Sequence, residues 1–151
     1  MAEPVTLRPV RTADLETFFE HRREPEAVRR ANSPAHEHDA FLTHWTERIL
    51  ADDAVTARTV LAGEKIAGNV LSWWRQDGRR EVGYWLGQEF WGRSIGTSAL
   101  RLFLRIEKTR PLYGTTDVGN LASRRVLERC GFVFAETVDA EGHRYNLLIL
   151  R

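Results

Sequence analysis

Glu89–Leu100, EFWGRSIGTSAL, joins a strand-like run to a helix-like one, and its reading decides the fold. Glu81 to Leu86, just before it, reads as a strand. After it, Ile95, Ala99, Leu102, Phe103 and Ile106 fall on one face of a long helix, expected to end before Pro111. Between the two, Gly92 and Gly96 let the backbone turn tightly and approach a ligand. The N–H groups that open such a helix, together with its dipole, form a natural phosphate cradle, and Arg93 adds a mobile positive charge. A plain turn ahead of a core helix fits the same residues, so this stretch alone leaves both readings open. Ser94 stands where a further glycine would be the easier choice. Its position at the start of the helix, rather than in the turn, predicts helical backbone angles at little cost. A left-handed Ser94 would be strained.

Working outward, Val5 to Leu7 is a short strand closed by Pro9, and Thr12 is a candidate cap for a helix carrying Leu15, Phe18, Phe19 and Arg22 at helical spacing. Pro25 starts a second short helix, and Ser33-Pro34 breaks the chain. From Asp39, the residues Phe41, Leu42, Trp45 and Ile49 make one apolar helical stripe. The period then changes: Val55–Ala62 and Ile66–Trp74 read as strands around a Gly63-Glu64-Lys65 turn, and Asp77-Gly78 marks a hairpin into Glu81–Leu86. Leu112–Val118 is a further strand. Asn120 can cap a helix that stops at Gly131, and Phe132–Val138 and Tyr145–Leu150 form a final hairpin around Asp139–Gly142. This order predicts a mixed sheet with helices on both faces.

The length of 151 residues suits one domain, and 42% hydrophobic content is enough to build a core rather than a disordered chain. A net charge of +1 gives no electrostatic case for nucleic acid or for a membrane surface. Cys130 is the one cysteine, which excludes a disulfide within the chain and argues against a cysteine zinc site. The start has no signal-peptide pattern and no apolar run reaches membrane-spanning length, so a cytoplasmic protein is expected.

A second unit, VGNLASRRVLERCGF from Val118 to Phe132, places an Asn at a strand end, a Ser on the next helical turn, and a helix closed by Gly-Phe. With EVGYWLGQEFWGRSIGTSAL it resembles the GNAT superfamily of N-acetyltransferases, most of all the branch that includes ribosomal-protein N-terminal acetyltransferases. The resemblance covers nearly the whole chain. It implies an α/β (α+β) fold: a mixed, mostly antiparallel central sheet of about six to seven strands flanked by about four helices. It also implies acetyl-CoA as co-substrate and a primary amine as acceptor, with acetyl transfer by direct attack in a ternary complex. Trp91, Ser94 and Gly96 fall at the positions of the family's pyrophosphate loop, so Gly92, Arg93, Ile95 and Thr97 are carried over with them. Tyr84, Trp85 and Leu86 match the strand that holds the pantetheine arm, where a backbone N–H can steady the developing oxyanion. Asn120 matches a residue that contacts that arm, and it is equally a helix cap.

Glu81 is the best general-base candidate, because an amine must lose a proton before it attacks. The alternative is a strand-end carboxylate paired with Arg79 or Arg80. The family's tyrosine acid corresponds to Leu127 here, and by resemblance Ser123 takes the place of the acid or simply binds cofactor. Cys130 reads better as a small buried residue than as a nucleophile. His21, His36, His38 and His44 lack metal-ligand spacing, but in the family this region walls the acceptor pocket, which makes His21 and His44 candidate substrate contacts. Trp73 and Trp74 face opposite sides of their strand, one toward the core and one toward the pocket. The competing readings are a GNAT-fold coenzyme A-binding or regulatory module without catalysis, suggested by Ser94 and Leu127, and a nucleotide-binding protein. The latter lacks both G-x-G-x-x-G and a P-loop lysine. The terminal hairpin offers an edge through which a homodimer could form.

Overall fold

The computed structural model describes residues 3–32 and 36–151; the expected break at Ser33-Pro34 lies outside them. Seven strands form one sheet: β1 Val5–Pro9, β2 Thr56–Ala62, β3 Lys65–Trp74, β4 Arg80–Leu86, β5 Leu112–Asp117, β6 Val133–Ala140 and β7 His143–Leu150. Their spatial order is β1-β2-β3-β4-β5-β7-β6. All neighbours are antiparallel except β4 and β5, which run parallel and pair only through Arg80 with Leu112 and Glu81 with Tyr113. From Val82 onward the two strands part and leave a wedge in the middle of the sheet.

Among the described residues, five α-helices accompany the sheet: α1 Asp14–Arg23, α2 Pro25–Ala31, α3 His38–His44, α4 Ile95–Phe103 and α5 Leu121–Arg129. The stripe from Phe41 to Ile49 is helical as expected, but it changes winding at Trp45 and continues as a π-helical segment to Leu50. One core lies between the sheet and α4 and α5, built on Phe103, Leu100, Val70, Leu112 and Leu148. A second lies on the opposite face, where Leu15, Phe18 and Phe19 of α1 meet Phe41 and Trp45. Helices on both faces, with two cores, match the layered architecture that the element order predicts.

Several local expectations are corrected. Thr12 does not cap α1. The N-cap position falls on Ala13, which makes no side-chain bond, and the Asp14 carboxylate accepts the Arg11 N–H at 2.8 Å instead. Asp14 is buried, and it also accepts both Arg8 guanidinium nitrogens (2.7 and 2.9 Å) and the Thr59 hydroxyl (2.7 Å), so it ties α1 to β1 and β2. Helix α4 stops at Phe103, well short of Pro111, and Ile106 is exposed rather than buried. Glu107 turns inward in its place. It takes the Ser72 hydroxyl at 2.5 Å and Arg80 Nε at 2.8 Å, while Arg80 also donates to the Ala54 carbonyl. Burial raises the Glu107 carboxyl and the bonds from Ser72 and Arg80 lower it, with a net fall below its ordinary value. A buried arginine needs such a partner, and satisfying it ends the helix early.

The final hairpin turns at Glu141-Gly142, both with positive φ, as a tight two-residue hairpin turn requires. Gly131 closes α5 with φ 97°, as expected. At Gly68 a Cβ would lie 2.0 Å from the Trp85 carbonyl oxygen, so only glycine lets β3 approach the end of β4 this closely.

Candidate active site

Two cavities open on either side of the β4 wedge. The first, about 450 Å³, lies at the starts of α4 and α5 beneath α2. Its walls include the expected Tyr84, Trp85 and Leu86 of β4 and Trp91, Gly92 and Ser94 of the turn. Ile95, Gly96 and Thr97 from the first turn of α4, with Asn120 and Ser123 from α5, complete the expected set. Of the residues expected there, Arg93 is the exception: its guanidinium pairs with Glu3, donates to the Glu89 carbonyl and lies outside the cavity wall. Positive charge is supplied instead by Arg30, Arg125 and Arg129, which the sequence reading missed. A signal was present in Arg30 at the end of α2 and in the repeated arginines of α5, but their convergence depends on α2 crossing to the wedge.

Ser94 is not helical. It holds φ 60° and ψ 14°, the left-handed region, as the residue before α4. The expectation of a helical, low-cost serine is overturned, because the reversal into the helix occurs at Ser94 itself. Gly92 has φ 73° in the same turn. The Thr97 hydroxyl is buried and has no hydrogen-bond partner among the described residues, in the first turn of a helix that presents free N–H groups. Trp91 is fixed by donating to the Leu86 carbonyl at 3.2 Å, and the Arg30 guanidinium stacks 4.0 Å from its ring centre.

Asn120 caps α5 by accepting the Ser123 N–H at 3.2 Å, and it still reaches the cavity. The Ser123 hydroxyl lies 3.0 Å from the Tyr84 hydroxyl. Burial pushes the Tyr84 phenol up to about 12, so it stays protonated and able to donate at neutral pH. Leu127 is buried against Gly114 and outside both cavity walls, so its identity does not decide which acid group the cavity contains. Cys130 is only half-buried against the core; partial burial pushes its thiol up, and it donates to the Thr97 carbonyl at 3.6 Å.

The second cavity, about 540 Å³, lies on the α1 face and shares Tyr84 and Trp85 with the first. Trp85 Nε1 donates to the His21 carbonyl at 3.1 Å, which locks α1 against the end of β4. His21 itself does not reach this cavity. Its ring is buried against Gly87 and Phe90, and burial lowers its pKa. His44 does line the cavity, as does His36. Trp73 lies across Gly83, and Trp74 is 52% exposed; both reach the cavity wall and neither belongs to the core.

Glu81 stands where β4 and β5 part, on the same strand face as Gly83 and Trp85 but outside the wall of either cavity. Its partners are Arg75 at 3.2 Å and the Thr115 hydroxyl at 3.1 Å, not Arg79 or Arg80. Arg79 instead stacks over Tyr113, and Arg80 is committed to Glu107. Burial raises the Glu81 carboxyl above its ordinary value, against the lowering effect of Thr115 and Arg75. Among the described residues no group of three potential metal ligands occurs, and no helix is long and apolar enough to cross a membrane.

Residues 5–133 match the family model described as an acetyltransferase (GNAT) domain. The chain belongs to the GNAT acetyltransferase family. A search of curated proteins finds no match. Similar solved structures include the aminoglycoside acetyltransferase AAC(6')-Ib in complex with coenzyme A, with TM-score 0.81 and 18% identity over 97% of this chain and 94% of that one. A spermidine N-acetyltransferase SpeG chimera from Vibrio cholerae and hSSAT gives TM-score 0.79 and 16% identity over 97% and 94%. RimL, a ribosomal L7/L12 α-N-protein acetyltransferase in complex with coenzyme A, gives 0.77 and 18% over 97% and 93%. At these identities the GNAT fold is what is shared.

Proposed function

We propose that this chain is an N-acetyltransferase that moves acetyl from acetyl-CoA to a primary amine by direct attack in a ternary complex. The observation that carries the reading is the wedge at β4, where a cavity edged by helix N-termini and arginines meets an aromatic cavity across Tyr84 and Trp85. The first cavity suits a phosphorylated thioester. The N–H groups from Ser94 to Thr97, the partnerless Thr97 hydroxyl and Arg30, Arg125 and Arg129 would hold its phosphates. The unpaired edge of β4 from Val82 to Leu86 would hold the arm by strand-like bonds. When bound, acetyl-CoA supplies an activated acetyl carbonyl and a thiolate leaving group.

The chain's own residues then handle protons. Glu81 receives the proton of the attacking amine through a water, since its carboxylate stands outside the cavity wall. Burial raises its pKa, which makes it a stronger base than an exposed carboxylate. The Ser123 hydroxyl, backed by the Tyr84 phenol, donates to the departing sulfur.

Calorimetry with acetyl-CoA, followed by assay of a broad amine panel, tests the reading. Glu81→Gln should bind acetyl-CoA normally yet lose about 10²-fold or more in kcat. A base works only when ionised, so the original enzyme's rate should fall as pH drops through the raised carboxyl pKa, and this acid limb should vanish in Glu81→Gln. Coenzyme A binding without turnover, unchanged by Glu81→Gln, would instead establish a non-catalytic module.

A further inference from the structure

The acceptor-side cavity has a charge pattern of its own. Arg22, Arg48, His36 and His44 all line it, and among the described residues Asp52 is the one acid in its wall. That carboxylate accepts the Ala54 N–H at 2.9 Å, and the two arginines outnumber it. The Arg22 guanidinium lies 3.9 Å from the centre of the Trp85 ring, at the junction with the first cavity. Arg48 is exposed and has no carboxylate partner among the described residues. The rest of the wall is apolar, led by Phe18, Phe41, Trp45, Trp73 and Trp85. Burial lowers the His36 pKa, and the neighbouring Arg22 and His44 lower it further.

A cavity that takes a polycation needs carboxylates to offset each ammonium; here like charge would oppose it. Arginine forks match a carboxylate in geometry and charge. Resting on the transferase reading, we propose that the acceptor is an amine that also carries a carboxylate on an apolar or aromatic body, of the kind found in an aromatic amino acid or a short apolar peptide with a free C-terminus. The amine faces Tyr84 and Trp85, the apolar body lies among the aromatic rings, and the carboxylate meets Arg48. Specificity then comes from the charge opposite the amine rather than from the amine itself.

The test uses matched pairs: phenylalanine and leucyl-phenylalanine against their C-terminal amides, with spermidine as the polycation. Turnover is read with acetyl-CoA, and acceptor binding is read by calorimetry on protein saturated with coenzyme A. The free acids should exceed the amides and spermidine by about tenfold or more in kcat/KM. Arg48→Gln, a surface change, should lower the free acids far more than the amides and so close that gap. Amides or spermidine used as well as the free acids, or a gap untouched by Arg48→Gln, would overturn the inference and leave the transferase reading standing. If no acceptor turns over, tighter binding of the free acids than of the amides sustains the inference while removing the transferase reading; absence of binding by the free acids overturns it.

Discussion

Ser94 shows how much one residue's backbone decides. Left-handed angles cost an L-residue about 1–2 kcal/mol, and glycine adopts them freely. Part of that relief is offset because glycine loses more freedom on folding. Ser94→Gly should therefore raise stability by about 0.5–1 kcal/mol in denaturant unfolding, with coenzyme A affinity undiminished. A loss of stability would mean that the serine contributes more than its backbone costs. The spacing of EFWGRSIGTSAL revealed the turn and the helix but not this angle, because a shift of one residue at a helix start separates helical from left-handed backbone. The Tyr84–Ser123 pair was half legible: both positions were marked, but the contact between their hydroxyls requires β4 and α5 to face each other across the cavity. Tyr84→Phe keeps the ring and removes the donor. It should lower kcat about tenfold with little change in the KM for acetyl-CoA, and cost about 1 kcal/mol of stability. Equal losses in kcat and affinity would assign Tyr84 to binding alone.

At the scale of elements, the strands and helices were read from period and punctuation, and all seven strands and the three hairpins stand where alternation and turn residues placed them. What periodicity missed were the places where a buried polar side chain overrides it. Ile106 has helical spacing from Phe103 and Leu102, yet the chain leaves the helix so that Glu107 can meet Arg80. Asp14 lies in a first helical turn, yet it is buried because Arg8, Arg11 and Thr59 all converge on it. Burial alone would raise the Asp14 carboxyl, but the bonds from Arg8, the Arg11 N–H and Thr59 outweigh it and hold the group at about 2. A folded pKa below the unfolded one stabilises the protein above the unfolded value of 3.8 and is lost as pH falls through about 2. The contribution is about 2 kcal/mol at neutral pH. Asp14→Asn should therefore lower stability near pH 7 by at least that amount and flatten the fall in stability between about pH 4 and pH 2, measured by urea unfolding across that range. A variant whose acid transition is as steep as the parent's would move the acid sensitivity elsewhere.

For the whole molecule, the feature that matters most was the least legible. A strand pattern records which residues face in or out, but not whether two neighbouring strands stay paired. The parting of β4 from β5 after Glu81 follows from pieces far apart in the chain. Gly68 draws β3 against the end of β4, Trp85 is tied to α1, and β5 is paired along its length with β7. The wedge leaves backbone groups of β4 without a strand partner on that side, open to solvent unless an extended ligand takes their place. Amide exchange tests this on the intact protein. Coenzyme A should slow exchange along Val82–Leu86 and at the start of α4 from Ser94 to Thr97. Amides of β2, paired on both sides by β1 and β3, should be unchanged. Slowing confined to α4 would mean that the phosphates bind while the arm lies outside the wedge, which would remove the shared Tyr84–Trp85 junction as the place where donor and acceptor meet. Slowing of β4 together with α4 would place the thioester at the boundary between the two cavities, where the aromatic, arginine-lined side can deliver an amine to it.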